Sequence, residues 1–340
     1  MGDEISRIGV VGAGVMGSEI AFAAAQAGVG VALRDVERSL IDKGIAHVRA
    51  IADRRVARGR MTEEEAAAIV ARVAPAEAES DLAGCGLVVE AVTEVMDVKL
   101  AVFAALDAAT PPGTLLASNT SGLSISELGR ATSRPDRVLG LHFFNPASTM
   151  KLVEVIRGDA TSDATAQAGA DLVRRIGKTP VAVAECPGFL VNRVLVRALC
   201  ESYRCAAQTG ADLSAADAAV VEAGPAPMGP FALGDLIGLD TLLHVQNDLV
   251  AAYGDRFGDG GLMAGHVAAG RLGAKSGEGF FAGRPPEGAT ADAEGREVAA
   301  RYYEGARDEA RRCLDEGVAS ADDLVLAMQL GAGWSGGPLP

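Results

Sequence analysis

The sequence predicts an α/β protein in which a doubly wound, largely parallel sheet is followed by an all-α C-terminal domain. Short apolar runs of strand length alternate with helical patterns from residue 8 to about residue 184. Pro187-Gly188 ends this alternation, and only helical patterns follow from Phe189 onward. We therefore expect a sheet domain at residues 1–186, a helical domain at 187–284 and a helical tail at 285–340.

The first domain is predicted element by element from its apolar periodicity. Strands are expected at 8–11, 29–34, 87–92, 114–117, 137–143, 151–156 and 179–184, and helices at 15–27, 97–109, 125–131 and 162–175. Between Ser39 and about Val73 the pattern predicts an inserted hairpin of two helices with a break near 59–62. Thr62 and Glu65 have the spacing of a capping box, which predicts the start of the second helix.

Composition restricts the class of partner. The chain has 340 residues and a formal net charge of −14, which disfavours nucleic acid and anionic membranes. Five cysteines without a C-x-x-C pair predict neither a disulfide framework nor a metal cage, and so a reducing, cytoplasmic location. No leader-like start and no run of the ~18–20 apolar residues needed for a membrane span is found. Small molecules and other proteins are the expected partners.

A glycine-rich turn lies between the first predicted strand and helix. Gly12, Gly14 and Gly17 form a G-x-G-x-x-G pattern, which is weak by itself in a chain with 42 glycines, and a second match begins at residue 331. Only the first match follows a strand and opens a helix. There the first glycine allows the tight turn, the second lets the backbone approach a pyrophosphate, and the third allows close packing. Together with the free N–H groups of Val15 and Met16, these features predict a Rossmann-type dinucleotide site.

Asp35 ends the second predicted strand, 18 residues beyond Gly17. A carboxylate at this position accepts hydrogen bonds from the adenosine ribose and repels a 2′-phosphate, which favours NAD over NADP. Arg34 and Arg38 leave NADP open, because a neighbouring arginine can neutralise a phosphate.

Several longer motifs occur later in the chain, in the order and spacing of one family. They are Ser118-Asn119-Thr120-Ser121, residues 141–146 (LHFFNP), 150–155 (MKLVEV), 187–193 (PGFLVNR), 227–231 (PMGPF) and 275–280 (KSGEGF). Over residues 5–283 the chain resembles the 3-hydroxyacyl-CoA dehydrogenases, and in form it is most similar to the short bacterial enzymes of the 3-hydroxybutyryl-CoA dehydrogenase type. The resemblance implies NAD as cofactor and a homodimer formed through the helical domain.

His142 is the only histidine that follows a predicted parallel strand at the edge where such sheets bind ligands. A lone histidine is usually structural, but Glu154 on another predicted strand could reach the imidazole and fix its tautomer. The resemblance implies that His142 is the general base for the 3-hydroxyl and that Glu154 orients it.

The resemblance assigns roles to several further residues. Ser121 and Asn192 would hydrogen-bond the substrate oxygen and thioester region, although a turn serine and a helix-capping asparagine are the simpler interpretations from sequence alone. Glu94, Lys99 and Asn119 match cofactor-contacting positions. A solvated helix position remains an alternative for Lys99, one of only five lysines.

The helical insert contains five arginines between Arg49 and Arg60. They form either a solvated helix face or, for Arg54, Arg55, Arg58 or Arg60, a contact with CoA phosphates or an acidic carrier protein.

The chain departs from the family pattern at Gly122, at 147–149 (AST) and at 224–227 (GPAP). We expect these changes near the acyl pocket, so they put acyl length and carrier in doubt.

The tail carries a possible internal repeat. Residues 312–338 repeat the order of residue types at 204–230, which predicts a partial second copy of the helical domain packed on the first copy or on another subunit. Convergent Ala-rich helices are the alternative.

The expected reaction is (S)-3-hydroxyacyl-CoA plus NAD to 3-oxoacyl-CoA plus NADH, without a metal. One alternative is a dehydrogenase of a thioester on acyl-carrier protein or of a free 3-hydroxy acid. Another is a catalytically silent structural or NAD-sensing relative.

Overall fold

The computed structural model describes residues 5–282 and 288–339. The chain divides into two compact units, Met1–Glu185 and Cys186–Pro340. The predicted boundary between residues 284 and 285 lies outside the described residues. No helix within the described ranges is both long and apolar enough to cross a bilayer. The same ranges contain no group of three or more His, Cys, Asp or Glu side chains placed to hold a metal ion.

The first unit is built on an eight-stranded sheet with the order β3-β2-β1-β4-β5-β6-β7-β8. The strands are β1 Arg7–Val11, β2 Gly30–Arg34, β3 Val73–Ala76, β4 Leu87–Glu90, β5 Leu115–Ser118, β6 Val138–Phe143, β7 Leu152–Arg157 and β8 Thr179–Ala184. Every neighbouring pair is parallel except β6 and β7. The predicted Rossmann-type, doubly wound architecture is therefore confirmed.

Helices cover the sheet and bury its apolar side chains. They are α1 Val15–Gln26, α2 Arg38–Ala57, α3 Glu63–Ala71, α4 Met96–Ala109, α5 Ile125–Arg130 and α6 Asp163–Arg175. The core is formed by strand residues such as Val10, Leu33 and Leu141 against Phe22 and Ile51 from the helices. The strand order reverses beside β1, which places the crevice typical of ligand binding at the carboxyl ends of β1 and β4.

The inserted hairpin forms with the predicted break and cap. The Thr62 side chain accepts a hydrogen bond from the Glu65 N–H, and the Glu65 carboxylate accepts one from the Thr62 N–H, at 3.2 and 2.8 Å. The hairpin was predicted to end at about Val73, and α3 ends at Ala71, but the strand that follows was not predicted. Val73–Ala76 forms the edge strand β3, where Pro75 is tolerated because an edge strand has one unpaired side.

The second unit is helical, as predicted. Its helices are α7 Val191–Thr209, α8 Leu213–Ala223, α9 Pro230–Ile237, α10 Leu239–Tyr253, α11 Leu262–Ala268, α12 Ala293–Asp315 and α13 Ala321–Gly331. Short turns that contain Gly210 and Gly317 join α7 to α8 and α12 to α13. The order helix, glycine, short helix therefore occurs twice.

The tail helices pack on the first helices of the same unit. Arg193 on α7 and Glu309 on α12 are both fully buried, and the guanidinium Nε donates to the carboxylate over 2.6 Å. The Tyr303 hydroxyl donates to the carbonyl of Val220 at the end of α8 and accepts from the N–H of Ala226. A Cβ on Gly224 would collide with the Tyr303 ring. The GPAP departure at 224–227 thus fits against the tail, which gives it a structural reason, and its expected nearness to the acyl pocket stays a prediction.

Candidate active site

The glycine turn lies between β1 and the first turn of α1. Gly12 has φ +100°, and a Cβ there would press on the Ala91 carbonyl, while a Cβ on Gly17 would clash with the carbonyl oxygen of Gly12. These two glycines are required by the fold itself. A Cβ on Gly14 would meet no protein atom within 4 Å, so the protein alone gives no steric reason for this glycine. Close approach of a bound pyrophosphate to the backbone at Gly14 would provide such a reason.

The first turn of α1 is suited to an anion. Its N-cap, Gly14, provides no side-chain hydrogen bond, and no acidic residue lies in the first turn. Val15 and Met16 begin the helix, so their N–H groups lie among the four that lack intrahelical partners. These N–H groups and the positive end of the helix dipole favour a phosphate at this position.

A cavity of about 750 Å³ opens beside the glycine turn. It is lined by Gly12, Gly14 and Asp35, and by apolar side chains of α4 such as Val98 and Val102. One carboxylate oxygen of Asp35 accepts from the Ala13 N–H over 2.7 Å, and the other accepts from the Val36 N–H over 2.7 Å. The backbone therefore fixes the Asp35 carboxylate at the cavity wall, where it can accept from a ribose hydroxyl. The cavity, the turn and this carboxylate fit a dinucleotide.

His142 and Glu154 meet on neighbouring strands of the same sheet. They are direct partners in the antiparallel register of β6 and β7, and Nδ1 of His142 lies 2.7 Å from Oε2 of Glu154. Glu154 is fully buried and His142 is 5% exposed. Because an ionised carboxylate can only accept, the geometry assigns the proton to Nδ1 and makes Nε2 the basic nitrogen. The predicted pair is thus assembled at the carboxyl end of β6.

The loop after β5 carries Asn119 and Ser121. The Asn119 side-chain oxygen accepts from the Phe143 N–H over 2.9 Å, which ties this loop to the residue after His142. Glu94 accepts from the Ser121 N–H over 2.7 Å and from the Thr120 hydroxyl over 2.5 Å. The loops that follow β4 and β5 and the last residue of β6 are therefore joined at one edge of the sheet. Both Asn119 and Ser121 are half-buried there.

A buried ionic network that sequence analysis missed lies under these loops. Glu90 ends β4 with 0% exposure, and its carboxylate accepts from Lys99 Nζ at 2.7 Å, the Ser118 hydroxyl at 2.6 Å and the Val92 N–H at 2.7 Å. Lys99 is 1% exposed and also lies 3.2 Å from the carboxylate of Glu94. The solvated alternative for Lys99 is therefore excluded, and its role as a direct cofactor contact stays a prediction. The available signal was a carboxylate at the end of an apolar strand, nine residues before a rare lysine.

The connection between β6 and β7 is held by α1 and α2. The Ser148 N–H donates to the carboxylate of buried Glu19, and its carbonyl accepts from Arg55 over 2.7 Å. Arg55 also donates to Gln26 and lies over the Phe22 ring. Of the four arginines considered for phosphate binding, Arg55 thus has structural contacts. The other three, Arg54, Arg58 and Arg60, are exposed.

Asn192 lies in the second unit, as the second residue of α7, and is half-buried. The Pro187-Gly188-Phe189 turn precedes it, and Phe189 has φ +49° although it is not a glycine. Phe189 is fully buried, and its N–H donates to the Cys186 carbonyl. Such an unusual backbone conformation is kept where the surrounding packing fixes it, and it sets the start of the helix that carries Asn192.

A dinucleotide cradle and a carboxylate-oriented histidine in one sheet define a dinucleotide-dependent dehydrogenase. Comparison with known proteins narrows this class. The NAD-binding domain of 3-hydroxyacyl-CoA dehydrogenase matches residues 7–186, and the C-terminal domain of 3-hydroxyacyl-CoA dehydrogenase matches residues 188–283. The chain belongs to the 3-hydroxyacyl-CoA dehydrogenase family.

Individual relatives agree with this assignment. A probable 3-hydroxybutyryl-CoA dehydrogenase of Bacillus subtilis is 42% identical over 279 residues, which cover 82% of this chain and 97% of the relative. The (S)-3-hydroxybutyryl-CoA dehydrogenase structure from Ralstonia eutropha has 38% identity and a TM-score of 0.78, over 82% of this chain and 99% of its own. The 3-hydroxybutyryl-CoA dehydrogenase structure from Escherichia coli K12 has 29% identity and a TM-score of 0.90, over 99% of this chain and 90% of its own. The last similarity extends over the tail.

Proposed function

We propose that the protein oxidises (S)-3-hydroxyacyl-CoA to 3-oxoacyl-CoA with NAD, and catalyses the reverse reduction with NADH. Family membership supports the reaction class. The observation that carries the proposal for this chain is the His142–Glu154 pair, joined over 2.7 Å in the sheet that also carries the glycine turn.

The residues at the cavity fit NAD. When bound, NAD supplies the nicotinamide that accepts hydride from carbon 3 of the hydroxyacyl group. In the proposal, Gly12, Gly14 and Gly17 shape the pyrophosphate turn, and the N–H groups of Val15 and Met16 face it. Asp35 receives the adenosine ribose at the cavity wall. Glu94 and Asn119 lie on the next loops along the same edge, where we propose further cofactor contacts.

The proton is handled by His142. In the oxidative direction Nε2 accepts the proton of the 3-hydroxyl, and the Glu154 carboxylate stabilises the imidazolium that forms. In the reductive direction the same nitrogen returns the proton to the 3-keto oxygen. Since Nδ1 is held by Glu154, Nε2 is the nitrogen to which the proposal assigns the substrate proton.

Ser121 and Asn192 are the proposed hydrogen-bonding groups for the substrate oxygens. The fixed backbone of Ser121, whose N–H is bound to Glu94, supports its part in this role. The role of Asn192 is supported by its match to the family motif at residues 187–193. Hydrogen-bond donors that point at a carbonyl oxygen stabilise the charge that develops there during reduction.

CoA is the proposed carrier, since the relatives are named as CoA-thioester dehydrogenases. Exposed Arg54, Arg58 and Arg60 in a chain of net charge −14 provide a positive patch for its phosphates. A carrier-protein thioester would use the same patch. Self-association through the second unit and a cytoplasmic location stay predictions, which sedimentation and cell fractionation would test.

The proposed function is tested with a panel of 3-oxo substrates and NADH, read by absorbance of the reduced nicotinamide. The panel contains acetoacetyl-CoA, longer 3-oxoacyl-CoA esters, the same acyl groups on acyl-carrier protein, and free 3-oxo acids. We expect the highest kcat/KM with a CoA ester. A preference for the free acid or the carrier protein would reject the CoA proposal, and no NADH oxidation with any of these ketones would identify a silent relative.

A further inference from the structure

The wall of the dinucleotide cavity contains an acidic side chain that sequence analysis did not single out. Glu79 lies on a one-turn 3₁₀ helix, Glu79–Leu82, which follows β3. It lines the same cavity as Arg34 and Asp35. Its Oε1 accepts from Nη2 of Arg34 over 2.9 Å, and its side chain is 43% exposed. Three charged groups therefore meet at the end of β2.

The segment that carries Glu79 has a fixed position beside β2. β3 pairs with β2 in parallel register, with Ala76 opposite Arg34. The Asp81 carboxylate then accepts from the N–H groups of Glu77 and Ala78, and Leu82 is fully buried. These contacts hold the segment on either side of Glu79, so the Glu79 carboxylate remains close to the Arg34 guanidinium.

The neighbouring arginine is also paired. Arg38, at the start of α2, donates to the carboxylates of Asp42 and Glu77. Both arginines that left NADP open in the sequence therefore have carboxylate partners. An NADP-binding site needs the opposite arrangement, with an arginine able to turn to the 2′-phosphate.

We propose that Glu79 is a specificity-determining residue that excludes NADP. It acts in two ways, both of which rest on the proposed use of NAD by this site. Its negative charge adds to that of Asp35 at the cavity wall and repels a phosphate on the adenosine ribose. Its ion pair with Arg34 keeps the nearest guanidinium from turning to that phosphate.

The test compares cofactor preference in Glu79→Gln and Glu77→Gln. Both variants remove one negative charge from the same loop. Glu77 does not line the cavity, and its partner Arg38 remains paired with Asp42 when Glu77 is neutralised. We expect the ratio of kcat/KM for NADPH to that for NADH to rise about tenfold in Glu79→Gln, as expected when one charge is removed near a phosphate. We expect Glu77→Gln to keep the wild-type ratio within twofold.

A third variant tests the part assigned to Arg34. The double variant Glu79→Gln/Arg34→Met lacks the guanidinium that Glu79→Gln alone would release. Most of the rise in the NADPH/NADH ratio of kcat/KM should therefore be lost. An unchanged ratio in Glu79→Gln, an equal rise in Glu77→Gln, or a full gain retained in the double variant would each overturn the proposal.

Direct binding separates this proposal from the proposed function. NADH and NADPH are titrated into wild type and variants without substrate, and nicotinamide fluorescence reports the dissociation constants. Wild type that binds NADH but reduces no 3-oxoacyl thioester would reject the function and leave the cofactor ratio measurable. Wild type that reduces acetoacetyl-CoA with NADH, while all variants keep its cofactor ratio, would reject the role of Glu79 alone.

Discussion

Lys99 Nζ lies 2.7 Å from Oε1 of Glu90, and neither side chain exposes more than 1% of its surface. The pair joins the end of β4 to the first turns of α4, directly beneath the loops that carry Glu94 and Ser121. A buried ion pair contributes little to folding stability compared with a well-packed apolar pair. The loss of one partner, however, leaves a buried charge uncompensated and destabilises the fold.

Glu90→Gln should therefore destabilise the first unit by about 3–5 kcal/mol. Urea unfolding followed by far-ultraviolet circular dichroism measures the change. The double variant Glu90→Gln/Lys99→Met removes both charges and should recover a large part of the loss, as a coupled pair requires. Lys99→Met completes the cycle, and a loss in the double variant equal to the sum of the two single losses would show that the two groups act independently.

Glu154→Gln should lower kcat about a hundredfold, within the range that a positioned general base contributes. The neutral amide no longer fixes the Nδ1 proton or stabilises the imidazolium. The measurement is NADH oxidation with acetoacetyl-CoA, with circular dichroism to verify the fold and nicotinamide fluorescence to verify cofactor binding. The exposed Glu127→Gln serves as the matched control. Unaltered turnover in Glu154→Gln would remove Glu154 from the mechanism.

Charge reversal of Arg58 and Arg60 to Glu should raise KM for acyl-CoA about tenfold, and the effect should shrink at high salt. Free 3-oxo acids, which lack the CoA phosphates, should show no such rise. Arg296→Glu with Arg311→Glu makes the same change in net charge on exposed positions of α12. An unchanged KM for acyl-CoA in the Arg58/Arg60 variant would eliminate the phosphate contact.

Glu309→Gln should destabilise the second unit by about 3–5 kcal/mol, because Glu309 is fully buried between Arg193 and Arg256. Trp334 is the only tryptophan and contacts the rings of Tyr302 and Tyr303, so its fluorescence follows unfolding of this unit. Glu304→Gln removes an exposed partner of Arg301 on the same helix and should cost at most about 1 kcal/mol. Similar losses of stability in both variants would contradict the conclusion that Glu309 compensates the buried charge of Arg193.

Lys178 predicts a pH dependence of stability. Burial, followed by the nearby charges of Lys151 and Arg55, lowers its pKa from 10.5 to about 8. Between pH 8 and 10.5 the unfolded chain binds more protons at this group than the folded chain, so its contribution to stability rises with pH and is least favourable below 8.

The urea midpoint of wild type minus that of Lys178→Met should therefore increase from pH 8 to pH 10. The same difference for the exposed Lys43→Met is the control, because Lys43 is not among the charges that lower the pKa of Lys178. A constant difference across this interval for Lys178→Met would contradict the lowered pKa.

The sequence was most informative where local chemistry determines structure. The turn around Gly12, the strand and helix that flank it, and the capping box of Thr62 all follow from local rules, and the structure contains each of them. The edge strand Val73–Ala76 was missed because four residues show no period of their own, and pairing with β2 determines their conformation.

Partners distant in sequence were the main source of error. Glu79 lies between Glu77 and Asp81 in the sequence, and its importance becomes visible only when Arg34, 45 residues earlier, is placed beside it. The contact between Gly224 and Tyr303, which fills the space of the missing Cβ, was not predicted because the two residues lie 79 positions apart. A single sequence contains no signal for such a contact.

The direct cross-strand pairing of His142 with Glu154 also has a consequence for how this enzyme can diversify. Backbone hydrogen bonds between the two strands hold the proposed proton acceptor, His142, against the Glu154 carboxylate, so the segment between the strands, residues 144–151, does not set that distance. Insertions or exchanges in this segment can therefore occur while the proposed acid–base pair keeps its geometry.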